Sequence, residues 1–384
     1  LVSSVTSIRR DWIFFSSRRR HTSLRRDWSS DVCRLLIFQK IDLTGQATAT
    51  VKLTLRGFYD AAARGLIAGN THLHLTKMTL EEADRYLRVV PAADDLKLVF
   101  LSLLRRIPDE RDYISNLFVK NSFGGGDLKR LSQSGVLFAN GEEHRHNLGR
   151  GGEGYGHVMF LDLQKLIRPV SIGPGIMRAG TDGMTLRRGI LRARDDDATV
   201  IWCHNNFGLE DIPNWLAGLV HAQNIFDGGN RGGYEASYYR YLNIGLKVPF
   251  SSGTDWTVFD FSRVYVPVDG ELSTKKWLQG LRAGRSYITN GPFLELETER
   301  GGLGDTLRLP APNSVTVVGR GIGRQDFGAL ELVYNGKVVR RVPAKKEDGY
   351  YFADMRHPLE VREPGWFALR IPSKVGKTEL DGDL

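Results

Sequence analysis

A short apolar strand that ends in two histidines is the strongest constraint on the fold of this chain. The stretch Asn70-Thr-His-Leu-His-Leu75 closes an apolar run that begins near Leu66. Because side chains alternate along a strand, His72 and His74 point to the same face, with backbone positions about 7 Å apart. Neutral imidazole nitrogen binds zinc, manganese and iron, so the pair predicts a metal site without selecting the ion. The alternative is a pair of solvent-facing histidines at the end of a strand.

Other ligand-type residues stand at or just beyond the ends of further predicted strands. Glu143 follows the apolar run 135–139, His157 begins the run 157–163, and His204 and Asp255 end two later runs. In α/β proteins, ligands bind at the carboxyl ends of parallel strands, where these side chains would meet. A mixed set of imidazoles and carboxylates suits one to three Zn, Mn or Fe ions. The six residues therefore predict a metal centre.

The pattern of the chain changes near residue 283. Before it, short apolar runs alternate with helical segments, which indicates an α/β unit with parallel strands. The predicted strands there are 66–75, 96–104, 135–139, 157–163, 199–203, 224–226 and 248–252, and the predicted helices are 79–89, 185–193, 209–222, 234–244 and 273–283. After it, strands follow one another without helices, and Asn335-Gly336 is a strong hairpin signal, so a small C-terminal β-sandwich-like domain is predicted. Its predicted strands are 293–298, 314–319, 329–339, 350–355 and 366–371.

The basic charge of the chain is concentrated at its beginning. Residues 1–34 contain eight arginines and three aspartates, which is +5 of the formal net charge of +9. This segment has no helical or strand period and resembles a translated sequencing-library adapter, so we expect it to be a disordered artefact. The alternative is a basic arm that binds phosphates while Trp12 and Trp28 stack on bases. Because we expect the segment to be an artefact, we predict no nucleic-acid partner.

Length and composition set the remaining limits. The 384 residues predict two domains, and no apolar run approaches the roughly eighteen residues that would predict a membrane span. We divide the chain into the artefact 1–34, remnant strands of an upstream β domain at 35–60, a metal-binding α/β domain at 61–291 and a truncated β domain at 292–384. Without the artefact only Cys203 remains, and it is predicted to be a buried small hydrophobe. No compartment is predicted.

Several motifs together resemble the CehA/McbA branch of the PHP (polymerase and histidinol phosphatase) metal-dependent hydrolases. The motifs that carry the resemblance are Asn70-Thr-His-Leu-His74, Gly141-Glu-Glu143, Gly156-His157, the strand ending in His204, Gly253-Thr-Asp255 and Gly284-Arg-Ser-Tyr-Ile-Thr-Asn-Gly-Pro-Phe293. The resemblance implies a distorted (β/α)7 barrel with a di- or trinuclear metal centre that hydrolyses esters or phosphoesters.

The chain departs from this family pattern in three places. Asn70 stands where the family commonly has aspartate, Leu101-Ser-Leu-Leu-Arg-Arg106 lacks the Asp-His pair of the second motif, and Trp256 stands where many relatives have histidine. One or two ions are therefore expected, with three as the upper limit.

The predicted function is hydrolysis of a small-molecule ester or phosphoester by a metal-bound hydroxide. Asp255 or His204 would transfer a proton, and Arg263 or a second ion would stabilise developing negative charge. Asn70, His144 and His146 are candidates for a second shell around the ligands. The alternative is a degenerate, non-catalytic PHP-like protein that binds carbohydrate or protein.

Overall fold

The computed structural model describes most of the chain between residues 58 and 372. The described residues are 58–75, 80–103, 105–106, 112–113, 125–132, 135–146, 155–164, 167, 184–204, 208–225, 238–255, 263–289 and 291–372. The predicted artefact at 1–34, the predicted remnant strands before residue 58 and the predicted truncation at the end lie outside these residues.

A nine-stranded mixed sheet forms the centre of the α/β part. Its strands are β1 (Leu66–Leu75), β2 (Leu98–Leu103), β5 (Leu137–Arg145), β6 (His157–Leu161), β7 (Thr199–Trp202), β8 (Ala222–Asn224), β9 (Phe250–Ser251), β10 (Arg263–Pro267) and β11 (Tyr287–Thr289); β3 (Arg105–Arg106) and β4 (Asp112–Tyr113) pair separately. The strand order is β11-β10-β1-β2-β5-β6-β7-β8-β9. The edge strands β9 and β11 approach each other, so the sheet is nearly closed and barrel-like.

Only half of the pairings in this sheet are parallel. The pairs β1/β2, β2/β5, β7/β8 and β8/β9 are parallel, whereas β5/β6, β6/β7, β1/β10 and β10/β11 are antiparallel. The prediction of a parallel sheet is therefore only partly correct, and a (β/α)7 barrel is not confirmed. A short connection suffices for an antiparallel pair, but a parallel pair needs a crossover of about a dozen residues or more. The connection from Arg145 to His157 is just below this length, and β6 runs antiparallel to β5.

Few helices accompany the strands in the described residues. They are α1 (Leu80–Ala93), α2 (Gly125–Leu131), α3 (Leu186–Asp195), α4 (Asp211–Leu216), α5 (Tyr238–Asn243) and α6 (Thr274–Arg282). The predicted helix 209–222 was too long, because Gly218 adopts a left-handed φ of 66° and ends α4 early. As predicted, Ser273 starts α6: its hydroxyl accepts a hydrogen bond from the Lys276 N–H. No helix among the described residues is long and apolar enough to cross a membrane.

The C-terminal part consists of strands, as predicted. They are β12 (Phe293–Thr298), β13 (Gly301–Gly302), β14 (Asn313–Gly323), β15 (Ala329–Tyr334), β16 (Lys337–Pro343), β17 (Lys345–Glu347), β18 (Tyr350–Val361) and β19 (Phe367–Arg370). A five-stranded sheet (β13-β12-β14-β18-β17) and a three-stranded sheet (β16-β15-β19) pack around one apolar cluster that includes Val317, Leu332 and Met355. The hairpin at Asn335-Gly336 has φ values of 48° and 80°, which fits the predicted turn.

Candidate metal centre

The two histidines of β1 converge on one point. Nε2 of His72 lies 3.0 Å from Nε2 of His74, and the two ring planes stand at 85° to each other. Both side chains are buried. The pairing register of β1 with β2 shifts between Asn70 and Leu73, and a bulge of this kind can redirect side chains beside a functional site. Two ring nitrogens this close would repel each other if both carried a proton, so the arrangement suits a cation that binds both.

Glu143 lies within β5 rather than after it. The sequence predicted that this strand ends at residue 139, but it continues to Arg145, and alternation places Glu143 and Arg145 on the same face. Oε2 of Glu143 lies 3.0 Å from Nε2 of His74 and 4.0 Å from Nε2 of His72. Its other oxygen, Oε1, lies 2.8 Å from Nδ1 of His157. One buried carboxylate therefore faces two separate groups of imidazoles.

The reversed direction of β6 brings His157 to this carboxylate. His157 is the first residue of β6, and the antiparallel register pairs it with Arg145 at the end of β5. Gly156 precedes it with a φ of 104°, and a Cβ there would lie 2.3 Å from the Trp202 ring, so only glycine fits. His157, at the start of β6, thus lies at the same edge of the sheet as the ends of the neighbouring strands β5 and β7.

His204 joins His157 from the segment that follows β7. Its Nε2 lies 3.1 Å from Nδ1 of His157 and 3.8 Å from Oε1 of Glu143. The rings of His204 and His72 have centroids 5.6 Å apart, so the two groups of imidazoles are neighbours.

Asp255 approaches the β1 pair from the segment after β9. Its Oδ1 lies 3.3 Å from Nε2 of His72 and 3.4 Å from Nε2 of His74. The backbone fixes this approach, because the Asp255 N–H donates to the His72 carbonyl at 2.8 Å and the His74 N–H donates to the Asp255 carbonyl at 2.9 Å.

Two of the six ligand-type residues have an unusual backbone conformation. His204 and Asp255 adopt left-handed φ values of 58° and 61°. Non-glycine residues in this region are uncommon and cost on the order of 1–3 kcal/mol, and such strain concentrates at functional sites. The surrounding structure therefore holds these two side chains in place at an energetic cost.

Polar residues around β1 support the centre. Oδ1 of Asn70 accepts from the His72 N–H at 3.0 Å, and its Nδ2 donates to the Thr254 hydroxyl at 3.0 Å. Gly253 lies so close to β1 that a Cβ there would be 2.3 Å from Cβ of His72. Asn70 therefore hydrogen-bonds the backbone of one ligand-type residue, and its role beside a bound metal stays a prediction.

The donor atoms form two sets that share Glu143. One contains His72, His74, Glu143 and Asp255, and the other contains Glu143, His157 and His204; within each set the atoms lie within 4.8 Å of one another. Donors about 2.0–2.2 Å from a common ion lie about 3 Å apart, which is close to the distances given above. Each set can therefore hold a metal ion.

The pKa shifts of Glu143 and His157 also suit metal binding. Burial raises the pKa of the Glu143 carboxyl, but Arg145, His157 and His204 together outweigh it and hold that pKa well below its usual value. Burial lowers the pKa of His157, against the opposing effect of Glu143. An ionised carboxylate and a neutral imidazole are the forms that coordinate metals.

Two further predicted residues, His144 and His146, lie outside the donor sets. His144 lies on the other face of β5, and His146 directly follows the strand. His144 stacks on Phe160 with ring centroids 5.0 Å apart, and its Nδ1 lies 3.5 Å from Oε1 of Glu142. The structure does not bring these two histidines to the donor sets. Arg263 is buried at the start of β10, where it pairs with Thr289, and its role as an anion clamp stays a prediction.

Arg145 was missed by the sequence reasoning. Its Nη1 lies 3.7 Å from Oε2 of Glu143, and its side chain is 13% exposed. The spacing of two positions between Glu143 and Arg145 would place both side chains on one face of a strand. This was not recognised, because the strand was predicted to end at residue 139. Cys203, by contrast, is fully buried as predicted.

Comparisons with known proteins do not identify the chain: no protein-family model matches it, and no curated protein is similar to it at a significant level.

Proposed function

We propose that this protein is a metal-dependent hydrolase of ester or phosphoester bonds with a centre of two divalent ions, Zn, Mn or Fe, bridged by Glu143. The observation that carries the proposal is that the two oxygens of one carboxylate face two different donor sets. Oε2 faces His74 at 3.0 Å while Oε1 faces His157 at 2.8 Å. A carboxylate that joins two ions is a recurrent feature of hydrolytic two-metal sites.

The two donor sets differ in a way that supports catalysis. The first offers four protein ligands, whereas the second offers three, namely Glu143, His157 and His204. Catalytic sites keep a coordination position for water or substrate beside about three protein ligands, and structural sites fill all four. The second set is therefore the better candidate for the substrate side of the centre.

Divalent ions in such a centre would supply Lewis acidity and would lower the pKa of water from about 15.7 towards 7. The protein groups hold the charges that this chemistry needs. Glu143 and Asp255 provide the carboxylates, and four buried or half-buried imidazoles provide nitrogen donors. Asp255 and His204 serve first as ligands in this proposal, and proton transfer by either residue is a further part of it.

The PHP-type assignment is also part of the proposal. It is supported by the chain order of the six ligands and by the nearly closed sheet that carries them. The finer (β/α)7 description would require the strands β6, β10 and β11 to be treated as a distortion of the barrel.

The test is metal-dependent turnover of the purified protein. It would be freed of metal with a chelator, reloaded with Mn or Zn, and assayed on nitrophenyl esters, phosphomonoesters and phosphodiesters. We expect turnover that disappears with the chelator and returns with the metal. Full metal occupancy without hydrolysis of any compound would contradict the proposal and favour a non-catalytic binding protein.

A further inference from the structure

Arg145 places a positive charge beside the shared carboxylate. It lies on the face of β5 that carries Glu143, and its Nη1 is 3.7 Å from Oε2 of Glu143. The register of β5 with β6 pairs it with His157, so it stands next to both donor sets. Its side chain keeps 13% of its surface exposed, whereas that of Glu143 keeps only 2%. Arg145 is therefore the more accessible of the two charged groups.

Arg145 cannot itself be a metal ligand. A guanidinium cannot be deprotonated and does not bind metal, and a cation here repels metal ions. With two divalent ions bound, Glu143 and Asp255 neutralise only half of their charge, because the four histidines of the donor sets contribute none when neutral. Arg145 would increase this positive excess.

We propose that Arg145 is a specificity-determining residue that selects a phosphate monoester as the substrate. The inference rests on the proposed function and narrows its substrate class. A phosphate monoester is a dianion at neutral pH and compensates the positive excess, whereas a neutral carboxyl ester does not. Guanidinium also matches the geometry of phosphate oxygens through paired N–H donors, which distinguishes it from lysine.

The experiment measures phosphate binding directly as well as turnover. Inorganic phosphate would be titrated by calorimetry into metal-loaded wild-type protein and into the variants Arg145→Gln, Arg145→Lys and Arg187→Gln, with metal content measured in each. Arg187 is exposed on α3, so its variant makes the same change of charge away from the centre. KM and kcat would be determined for nitrophenyl phosphate and nitrophenyl acetate.

We expect Arg145→Gln to weaken phosphate binding by about tenfold or more and to raise KM for the phosphate ester, with metal content retained. Arg145→Lys should recover part of the affinity, and Arg187→Gln should match the wild type. KM for the neutral ester should not change.

Two results would overturn the inference. One is unchanged phosphate affinity in Arg145→Gln at full metal occupancy, especially with increased metal affinity, because Arg145 would then only neutralise Glu143. The other is a higher kcat/KM for the neutral ester than for the phosphate ester in the wild type. Phosphate binding through Arg145 without any turnover would support the anion site and contradict the proposed hydrolase instead.

Discussion

Glu143 contacts His157 through one carboxylate oxygen, Oε1, which lies 2.8 Å from Nδ1, and this leaves the other oxygen to the histidines of β1. The contact joins residues of two antiparallel strands, β5 and β6. If each oxygen binds a different ion, loss of the carboxylate should affect both ions together.

Glu143→Gln is predicted to reduce metal content by more than one equivalent per chain. The amide retains the shape of the side chain but cannot supply two anionic oxygens to two ions. Glu142→Gln is the matched control, because alternation places Glu142 on the opposite face of β5, where its Oε1 lies 3.5 Å from His144. Elemental analysis of both variants checks the prediction. Equal metal loss in the two variants would show a general effect on folding.

Substitutions should also remove the metal ion of one donor set without removing that of the other. His157→Ala is predicted to lose about one metal equivalent, whereas the double variant His72→Ala/His74→Ala should lose the other, since only Glu143 belongs to both sets. His144→Gln is the control, because His144 faces away from the centre. Stoichiometric metal titration distinguishes the cases. Simultaneous loss of both ions in His157→Ala would argue for a single strongly coupled site.

The sequence predicted which polar side chains come together better than it predicted the sheet that carries them. The positions of these residues follow a local pattern: each of the six begins an apolar run or stands at or a few positions beyond the end of one, and that pattern is visible without the fold. The direction of β6 is not local, because it depends on how the connection after Arg145 returns to the sheet. The end of β5 was also misplaced, since polar Glu143 and Arg145 continue a strand whose apolar run stops at residue 139.

Close packing of Gly253 against β1 predicts a sensitive position. A Cβ at Gly253 would lie 2.3 Å from Cβ of His72 and 2.6 Å from its backbone nitrogen, so Gly253→Ala must displace either β1 or the segment leading to Asp255. We expect a loss of about 1–3 kcal/mol in the free energy of unfolding and weaker metal binding. Gly302→Ala is the control, because a Cβ there has only one neighbour, at 4.0 Å. Denaturant unfolding and metal titration of both variants provide the measurement. Equal stability of the two variants would contradict the close contact between Gly253 and His72.

His221 predicts a loss of stability in acid that is independent of the metal centre. Burial, followed by Arg282 and Arg194, lowers its pKa from 6.5 to about 3, and its Nδ1 accepts a hydrogen bond from the Val200 N–H at 2.8 Å. Below pH 6.5 the unfolded chain binds a proton at His221, whereas the folded protein does not bind this proton until the pH falls to about 3.

The free energy of unfolding should therefore fall as the pH falls from 6.5 to about 3. Because His221 is partly exposed, solvent screening limits the effect to on the order of 1–3 kcal/mol. His221→Gln should flatten this part of the pH profile of metal-free protein, whereas His357→Gln, which removes a histidine from β18, should leave it in place. An unchanged slope in His221→Gln would assign the acid sensitivity to other groups.

The most direct measurement of the central claim is anomalous X-ray scattering from crystals of the Mn- or Zn-loaded protein. We predict two peaks on either side of the Glu143 carboxylate, one among His72, His74 and Asp255 and the other beside His157 and His204. A single peak, or peaks away from these six residues, would contradict the bridged two-metal centre.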